Sequence, residues 1–585
     1  MVKALVAALD ERVRQAMTTA LGVAAQRVDP LIRPSDHADF QANGVLPLAK
    51  SLKADPRQLA AKVAQALAAD ELITSCEVAG PGFLNLTVAD SAISTQVAAR
   101  LGDPRLGVPP ADTDNVAVID YSQPNIAKEM HVGHLRSTVI GDALVRLLEF
   151  TGTKVIRQNH LGDWGTQFGM LIQYLVEHPE LRAHAEGESG SEAISRLNAL
   201  YRDSRARFDN DPEFADRARR RVVALQAGDR ETLEGWREIV AESKVYFEDV
   251  YDRLRVLLVD EDAVGESFYN PFLTEVAEDL ERRGIAVRSD GALCVFFDDV
   301  LGPDGNPVPL IVQKSDGGFG YAATDLAAIR YRVQTLGANR ILYVVDSRQA
   351  LHFKMVFETA RRAGYLPGAV EAVHVAFGSV LGPDGKPFKT RAGDTVRLIS
   401  LLNEAVEHAR RTVEAKNPSL DPALLPRRAD EVGIGAVKYA DLSTSRTRDY
   451  IFDLDRMVSL NGNTSVYLQY AHARIRSILR KLPADAANAG VHARLELAPA
   501  ERRLAMLLDQ FGATTQAVVE SLEPHRLCGY LYAVAQAFTD FYESCPVLKA
   551  PSEAVRDNRV ALCRLTGDTL RLGLESLGIA APEQL

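Results

Sequence analysis

The segment Asp120-Tyr-Ser-Gln-Pro-Asn-Ile-Ala-Lys-Glu-Met-His-Val-Gly-His134 gathers two imidazoles, a lysine and a glycine into a short stretch. His131 and His134, three residues apart, share one face if they occupy the first turn of a helix. Gly133 between them leaves room for a ligand to approach the backbone. A helix N-terminus adds free N–H groups and a partial positive charge, which suits a phosphate. Nucleotide binding is the chemistry this combination favours. Metal ligation is the rival, because histidines at i and i+3 can ligate, but no nearby cysteine or third histidine stands at ligand spacing.

The elements that must position these side chains are legible around them. Val116-Ala-Val-Ile-Asp120 is a short apolar run typical of a buried strand, and Lys154–Asn159 reads as the next strand. A helix opens near His131 between the two. Similar runs return at Arg340–Val345 and Glu371–Phe377. Strand, loop, helix, strand predicts an α/β fold with a parallel sheet and crossover helices, the nucleotide lying at the carboxyl ends of the strands. Residues from about 178 to 265 are densely charged and helical, and 286 to 323 contain strand-like pieces and turns. The expectation is an insertion of about 178–300 within a catalytic unit of 111–400.

Residues 1–110 form a first unit, with Val13, Met17, Ala20 and Leu21 at helical spacing, a second helical pattern over Arg57–Ala69, and two strand-like runs around Gly80-Pro-Gly82. The tail carries helical patterning throughout, divided into a connecting segment of 401–460 and a helical domain of 461–585. Leu301-Gly-Pro-Asp-Gly305 recurs as Leu381-Gly-Pro-Asp-Gly385, favourable turn chemistry in both places. The second copy is followed by Lys386-Pro-Phe-Lys-Thr-Arg391, which concentrates positive charge on a turn.

Composition sets the outer limits. The 585 residues carry a net charge of −11, so coating nucleic acid by bulk charge is excluded while local basic patches are not. Five scattered cysteines at 76, 294, 528, 545 and 563 form no Cys-x-x-Cys pair. They predict reduced thiols, a cytoplasmic location and no structural metal. No apolar run is long enough to span a bilayer, and Leu5–Leu9 is too brief for a signal segment.

Pro124–Ser137 resembles the signature of the class I aminoacyl-tRNA synthetases, and within them the arginyl-tRNA synthetase family. The likeness continues through Asn159-His-Leu-Gly-Asp-Trp-Gly-Thr-Gln-Phe-Gly169, Gly320–Leu326, Val345–Gln349, Gly385–Arg391, Gly462–Tyr470 and Leu570–Leu574. It therefore covers nearly the whole chain. It implies a Rossmann-type catalytic domain with an N-terminal α/β domain and a C-terminal all-helical domain. It implies a two-step reaction using ATP with Mg2+, L-arginine and tRNA(Arg), by a monomer with no membrane role. Arginine's carboxylate attacks the α-phosphorus of ATP, and the arginyl group then passes to the 2′-hydroxyl of the terminal adenosine. Family members typically need tRNA present before they activate arginine.

Residue roles follow from the same resemblance. His131, Gly133 and His134 bind ATP. The standard Lys-Met-Ser-Lys-Ser loop is missing, and Pro387–Arg391 stands in its place, making Lys389 the candidate cation for the departing pyrophosphate, with Arg391 assisting and Lys128 as a second candidate. An exposed turn lysine is the alternative for Lys389. Asp120, Asn125, Tyr321, Asp325 and Gln349 match arginine-binding positions, carboxylates being the natural partners of a forked, permanently charged guanidinium. Asp325 could equally be a helix N-cap. For tRNA, Tyr467 and Arg474 lie where basic and aromatic groups interleave, a solvated helix face with core tyrosines being the alternative, and Phe83 and Asn85 are candidates for an exposed base, although Phe83 suits a core as well. Two rivals to a synthetase are a compact nucleotidyltransferase, which needs neither terminal unit, and an inactive RNA-binding relative, which would have lost the histidines or lysines.

Overall fold

The computed structural model describes residues 3–110, 114–182, 190–302, 305–386, 388, 396–418, 420–483, 486 and 490–585. The N-terminal unit begins with α1 (Leu5–Leu21), whose buried face is Leu5, Leu9, Val13, Ala16 and Met17, an i, i+4 stripe. Ala20 and Leu21 are half-covered. Then come β1 (Ile32–Pro34), β2 (Phe40–Ala42), α2 (Val45–Leu52), α3 (Pro56–Leu67), β3 (Ile73–Ala79), β4 (Phe83–Val88) and α4 (Asp90–Leu101). The strands form an antiparallel sheet in the order β1-β2-β4-β3. Asp55 caps α3 by accepting from Gln58 N, with Pro56 at its first turn, a favourable helix start.

The central unit is built on β5 (Val116–Asp120), α5 (Val132–Thr151) and β6 (Lys154–Gln158). The chain then makes a long helical excursion through α6 (Thr166–Glu177), α7 (Gly190–Asn210), α8 (Pro212–Gln226), α9 (Arg230–Leu254) and α10 (Glu266–Arg282). A small antiparallel sheet follows, β7 (Val287–Ser289), β8 (Ala292–Val295) and β9 (Leu310–Gln313). After α11 (Tyr321–Gln334) the chain returns through β10 (Arg340–Tyr343), α12 (Ala350–Arg362) and β11 (Glu371–His374). The main sheet is parallel throughout, in the order β11-β10-β5-β6. Chain progression leaves β5 toward β6 on one side and β10 toward β11 on the other. The crevice between β5 and β10 is therefore a topological switch point, where open α/β sheets bind ligands.

Register fixes what meets at that crevice. Asp120 pairs with Gln158 on one side and with Tyr343 on the other. The remaining elements are β12 (Val380–Leu381), α13 (Leu398–Lys416), α14 (Leu425–Leu442), β13 (Tyr450–Ile451), α15 (Leu454–Met457), α16 (Ser465–Arg480), α17 (Pro499–Leu508), α18 (Phe511–Ser521), α19 (His525–Ser544) and α20 (Glu553–Ser576). The helical tail docks on the N-terminal unit through Asp509, whose carboxylate accepts from Leu5 N at 2.7 Å and pairs with buried Arg100 at 2.9 Å. Burying these charges is tolerable because each is paired and hydrogen-bonded.

Candidate active site

Beyond β5 the backbone takes an unusual path. Ser122, Gln123 and Ala127 have φ of 74°, 55° and 60°, left-handed conformations that non-glycine residues hold only when their surroundings enforce them. Ser122 N donates to Ser137 Oγ at 2.9 Å, Gln123 N to Asn159 Oδ1 at 3.0 Å, and Ala127 N to Ser243 Oγ at 3.0 Å. The Asn159–Gly169 block thus serves partly as a bracket for the histidine loop. Asn125 bridges to Gly162, where a Cβ would lie 2.3 Å from Asn125 Oδ1.

His131 is the N-cap of α5. Its Nδ1 accepts from Gly133 N at 3.0 Å, and His134 Nδ1 accepts from His131 N at 3.1 Å. An imidazole nitrogen that accepts a hydrogen bond carries no proton, so each ring holds its proton on Nε2. Two neutral imidazoles with centroids 4.1 Å apart therefore offer two Nε2–H donors. Burial depresses His131, with nearby Lys128 adding to the effect. Burial and then His131 bring His134 down to about 3. Both rings stay uncharged at neutral pH and act as hydrogen-bond donors rather than as cations. Gly133 has a local reason as well: a Cβ there would lie 2.7 Å from His131 Cε1, so glycine makes room for the capping ring. The Lys128 ammonium sits 4.9 Å from the ring centre of Tyr201 on α7. Lys389 and Arg391 lie outside the described residues.

Four of the five expected arginine contacts keep free surface. Asn125, Tyr321 and Gln349 are exposed, Tyr321 at 75 %. Asp325 is not an N-cap, since Gly320 holds that position in α11. Its Oδ2 lies 2.6 Å from His352 Nε2 on α12. Asp120 differs from the other four in being buried, at 2% exposed. Its Oδ2 accepts from Arg332 Nη2 at 2.6 Å and its Oδ1 from Gln123 Nε2 at 2.7 Å. Each oxygen thus accepts from a group of this chain, one of them a guanidinium. Arg332 also donates to Gln158 Oε1 at 2.5 Å and lies 5.0 Å from the ring centre of Tyr343. The strand register that sets Asp120, Gln158 and Tyr343 in one row builds this cradle.

Sequence reasoning missed Glu266, His352 and Arg332. Glu266 opens α10, and its carboxyl is pushed up to about 8, first by burial and then by the charges of Asp163 and Asp325, while a backbone hydrogen bond from Trp164 opposes the rise. Glu266 thus feels the charge of Asp325, and Tyr321 feels that of Glu266. An acidic residue in the first turn of a helix is common for reasons of the helix dipole, so nothing in its sequence setting marked it out. Among the described residues, no group of three His, Cys, Asp or Glu side chains could hold a metal ion.

The expected tRNA contacts divide. Phe83 and Asn85 share the half-exposed face of β4, opposite buried Leu84, Leu86 and Val88, so Phe83 is not a core residue. Asn85 Oδ1 accepts from Gln41 Nε2 at 2.8 Å. Tyr467 packs edge-on against Tyr532, while Arg474 is exposed and lies 5.8 Å from the ring centre of Tyr542. His472 is buried, and Arg476 and Arg480 pair with Glu583.

Comparisons with known proteins agree across the chain. Residues 96–454 match the family model for class I (R) tRNA synthetases, catalytic domain. Residues 468–585 match the DALR anticodon binding domain, and 7–88 the arginyl tRNA synthetase N terminal domain. An arginine–tRNA ligase of Frankia casuarinae is 61% identical, covering 96% of this chain and 95% of its own. One from Streptomyces avermitilis is 58% identical over the whole of both chains. Among solved structures, the arginyl-tRNA synthetase of Plasmodium falciparum superposes with a TM-score of 0.82 at 27% identity, covering all of both chains. That of Thermus thermophilus gives 0.80 at 26%, covering 99% of this chain and 100% of the other. With the paired imidazoles at the switch point and a family match in each region, this chain belongs to the arginyl-tRNA synthetases, ATP-dependent class I enzymes that charge tRNA with arginine.

Proposed function

We propose that the reaction runs through an arginyl-adenylate and ends on the 2′-hydroxyl of the terminal adenosine of tRNA(Arg). The observation that carries this reading is the tautomer of the two histidines: both Nδ1 atoms accept from backbone N–H groups, which leaves both Nε2–H groups to donate. Fixed neutral donors aimed at phosphate and ribose oxygens stabilise charge that develops in the transition state, with no proton transfer required of them. In-line transfer at phosphorus asks for positioning and charge neutralisation more than covalent help. Lys128 and Lys389 supply positive charge toward the pyrophosphate, Arg391 assists, and Gly133 keeps the approach open. Mg2+ would arrive on the nucleotide, held by ATP oxygens and water, as suits an ion that keeps much of its hydration.

The guanidinium of the substrate is received between Asp325 and Glu266. Tyr321 walls the stem, and Asn125 and Gln349 hold the α-amino end. Lysine would leave fork acceptors unpaired at about 1–3 kcal/mol each, which discriminates without editing. Residues 1–110 contact the outer corner of the tRNA through Phe83 and Asn85, 111–400 catalyse, 401–460 connect, and 461–585 read the anticodon with Tyr467 and Arg474. The functional unit in this reading is a monomer. Five free cysteines support a cytoplasmic setting. ATP–pyrophosphate exchange with each amino acid, in the presence of tRNA(Arg), tests the reading: exchange dependent on arginine is expected, and none with arginine would overturn it.

A further inference from the structure

The backbone from Ala127 to Val132 is gripped from two sides. On one side stand the long helices that follow β6. Ala127 N donates to Ser243 Oγ of α9 at 3.0 Å, Met130 N to Tyr246 OH of α9 at 3.2 Å, and Lys128 rests on Tyr201 of α7. On the other side is the chain entering α13. Val132 N donates to Val396 O at 3.1 Å, Leu398 N to Met130 O at 3.0 Å, and His131 bridges to Arg397.

One side chain touches both. Glu129, 12% exposed, accepts from Ser195 Oγ at 2.7 Å and Asn198 Nδ2 at 3.2 Å on α7, and pairs with Arg397 at 3.0 Å. It lies between Lys128 and His131 in sequence, so its carboxylate fixes the backbone that carries both.

We propose that Glu129 is a positioning residue for adenylate formation, clasping the Lys128–His131 backbone to α7 and to the entrance of α13. A carboxylate suits this task. It accepts several hydrogen bonds at once, and those from ionised partners are the stronger ones. An amide at this position loses the charge that pairs with Arg397 and keeps one acceptor end, its NH2 turning to Ser195 Oγ, so the clasp is weakened. Loosening it shifts the imidazoles and the ammonium relative to the phosphate, and displacements of this kind are costly to rate while leaving remote contacts to the amino acid intact. The proposal rests on the roles given above to His131, His134 and Lys128.

The test uses the full chain with tRNA(Arg), comparing Glu129→Gln, Arg397→Gln, the Ser195→Ala/Asn198→Ala pair and His134→Ala in single-turnover adenylate formation, with melting temperatures measured alongside. Glu129→Gln is expected to slow adenylate formation by about tenfold or more with the KM for arginine within about twofold of normal. Arg397→Gln, at an exposed side chain, is expected to slow it in the same manner and to add little on the Glu129→Gln background. This second variant keeps the proposal testable if Glu129→Gln folds poorly. A normal rate in both, or a rate loss matched by an equal rise in the KM for arginine, would overturn the clasp. If His134→Ala is crippled while the clasp variants are normal, the clasp alone fails. If His134→Ala is normal, the site assignment fails and the clasp with it.

Discussion

Arg332 and Asp120 form an ion pair of 2.6 Å in which neither side chain is more than 3% exposed. The pair sits at the carboxyl end of β5, beneath the crevice where the substrate guanidinium is expected. Removing one partner of a buried pair strands the other charge, at a cost of about 3–5 kcal/mol. Asp120→Ala is therefore expected to lower unfolding free energy by that amount, measured by denaturant titration. Undiminished stability with a raised KM for arginine would instead make Asp120 a substrate contact.

His134→Ala removes one fixed donor. By comparison with the loss of a single oxyanion donor, turnover should fall about a hundredfold, with arginine affinity little changed. Equal losses in turnover and affinity would argue against a role confined to the transition state. The depressed pKa of His134 also has a stability consequence. Folded His134 resists protonation down to about 3, whereas an unfolded histidine takes up its proton near 6.5. Its contribution is whole above about 6.5 and is lost as pH falls from there toward 3.

On the assignment proposed above, Asp325→Asn should weaken arginine binding and leave ATP binding intact. The loss of a charge-assisted contact is worth roughly 1.5–3 kcal/mol, or about ten- to a hundredfold in affinity. Equilibrium binding of each substrate separates the two effects. Unchanged arginine affinity would remove Asp325 from the pocket.

Glu266 predicts a proton signature. In the free pocket it holds its proton up to about 8, and a guanidinium beside it favours the ionised form. Below that pH arginine binding should release a proton, so affinity rises with pH and levels off above about 8. Without substrate the sign is opposite: this raised carboxyl contributes stability at low pH that is lost as pH rises through about 8. Calorimetry in buffers of different ionisation enthalpy near pH 7 measures the release. No release, or affinity that falls on going from about pH 6 to 8, would contradict the assignment.

The parallel sheet and the histidine turn were readable because their determinants are local. Val116–Ile119 is a continuous apolar run, and His131, Gly133 and His134 make their capping bonds to one another. The amino-acid pocket was less so, because its charges are settled by distant residues. Arg332 lies 212 positions from Asp120, and no local pattern announces that the carboxylate pairs with it. Glu266 gains its character from burial and then from the charges of Asp163 and Asp325, and His352 from the packing of α12 against α11. The left-handed path through Ser122, Gln123 and Ala127 was equally hidden, since it is enforced by Ser137, Asn159 and Ser243 rather than by glycine.

The most direct measurement is a crystal structure with a non-hydrolysable arginyl-adenylate analogue. A phosphate or ribose oxygen should lie within about 3 Å of Nε2 of His131 or His134, and the guanidinium should lie between Asp325 and Glu266 with the Arg332–Asp120 pair intact. A nucleotide bound away from both imidazoles, or a substrate guanidinium that displaces Arg332 from Asp120, would contradict it.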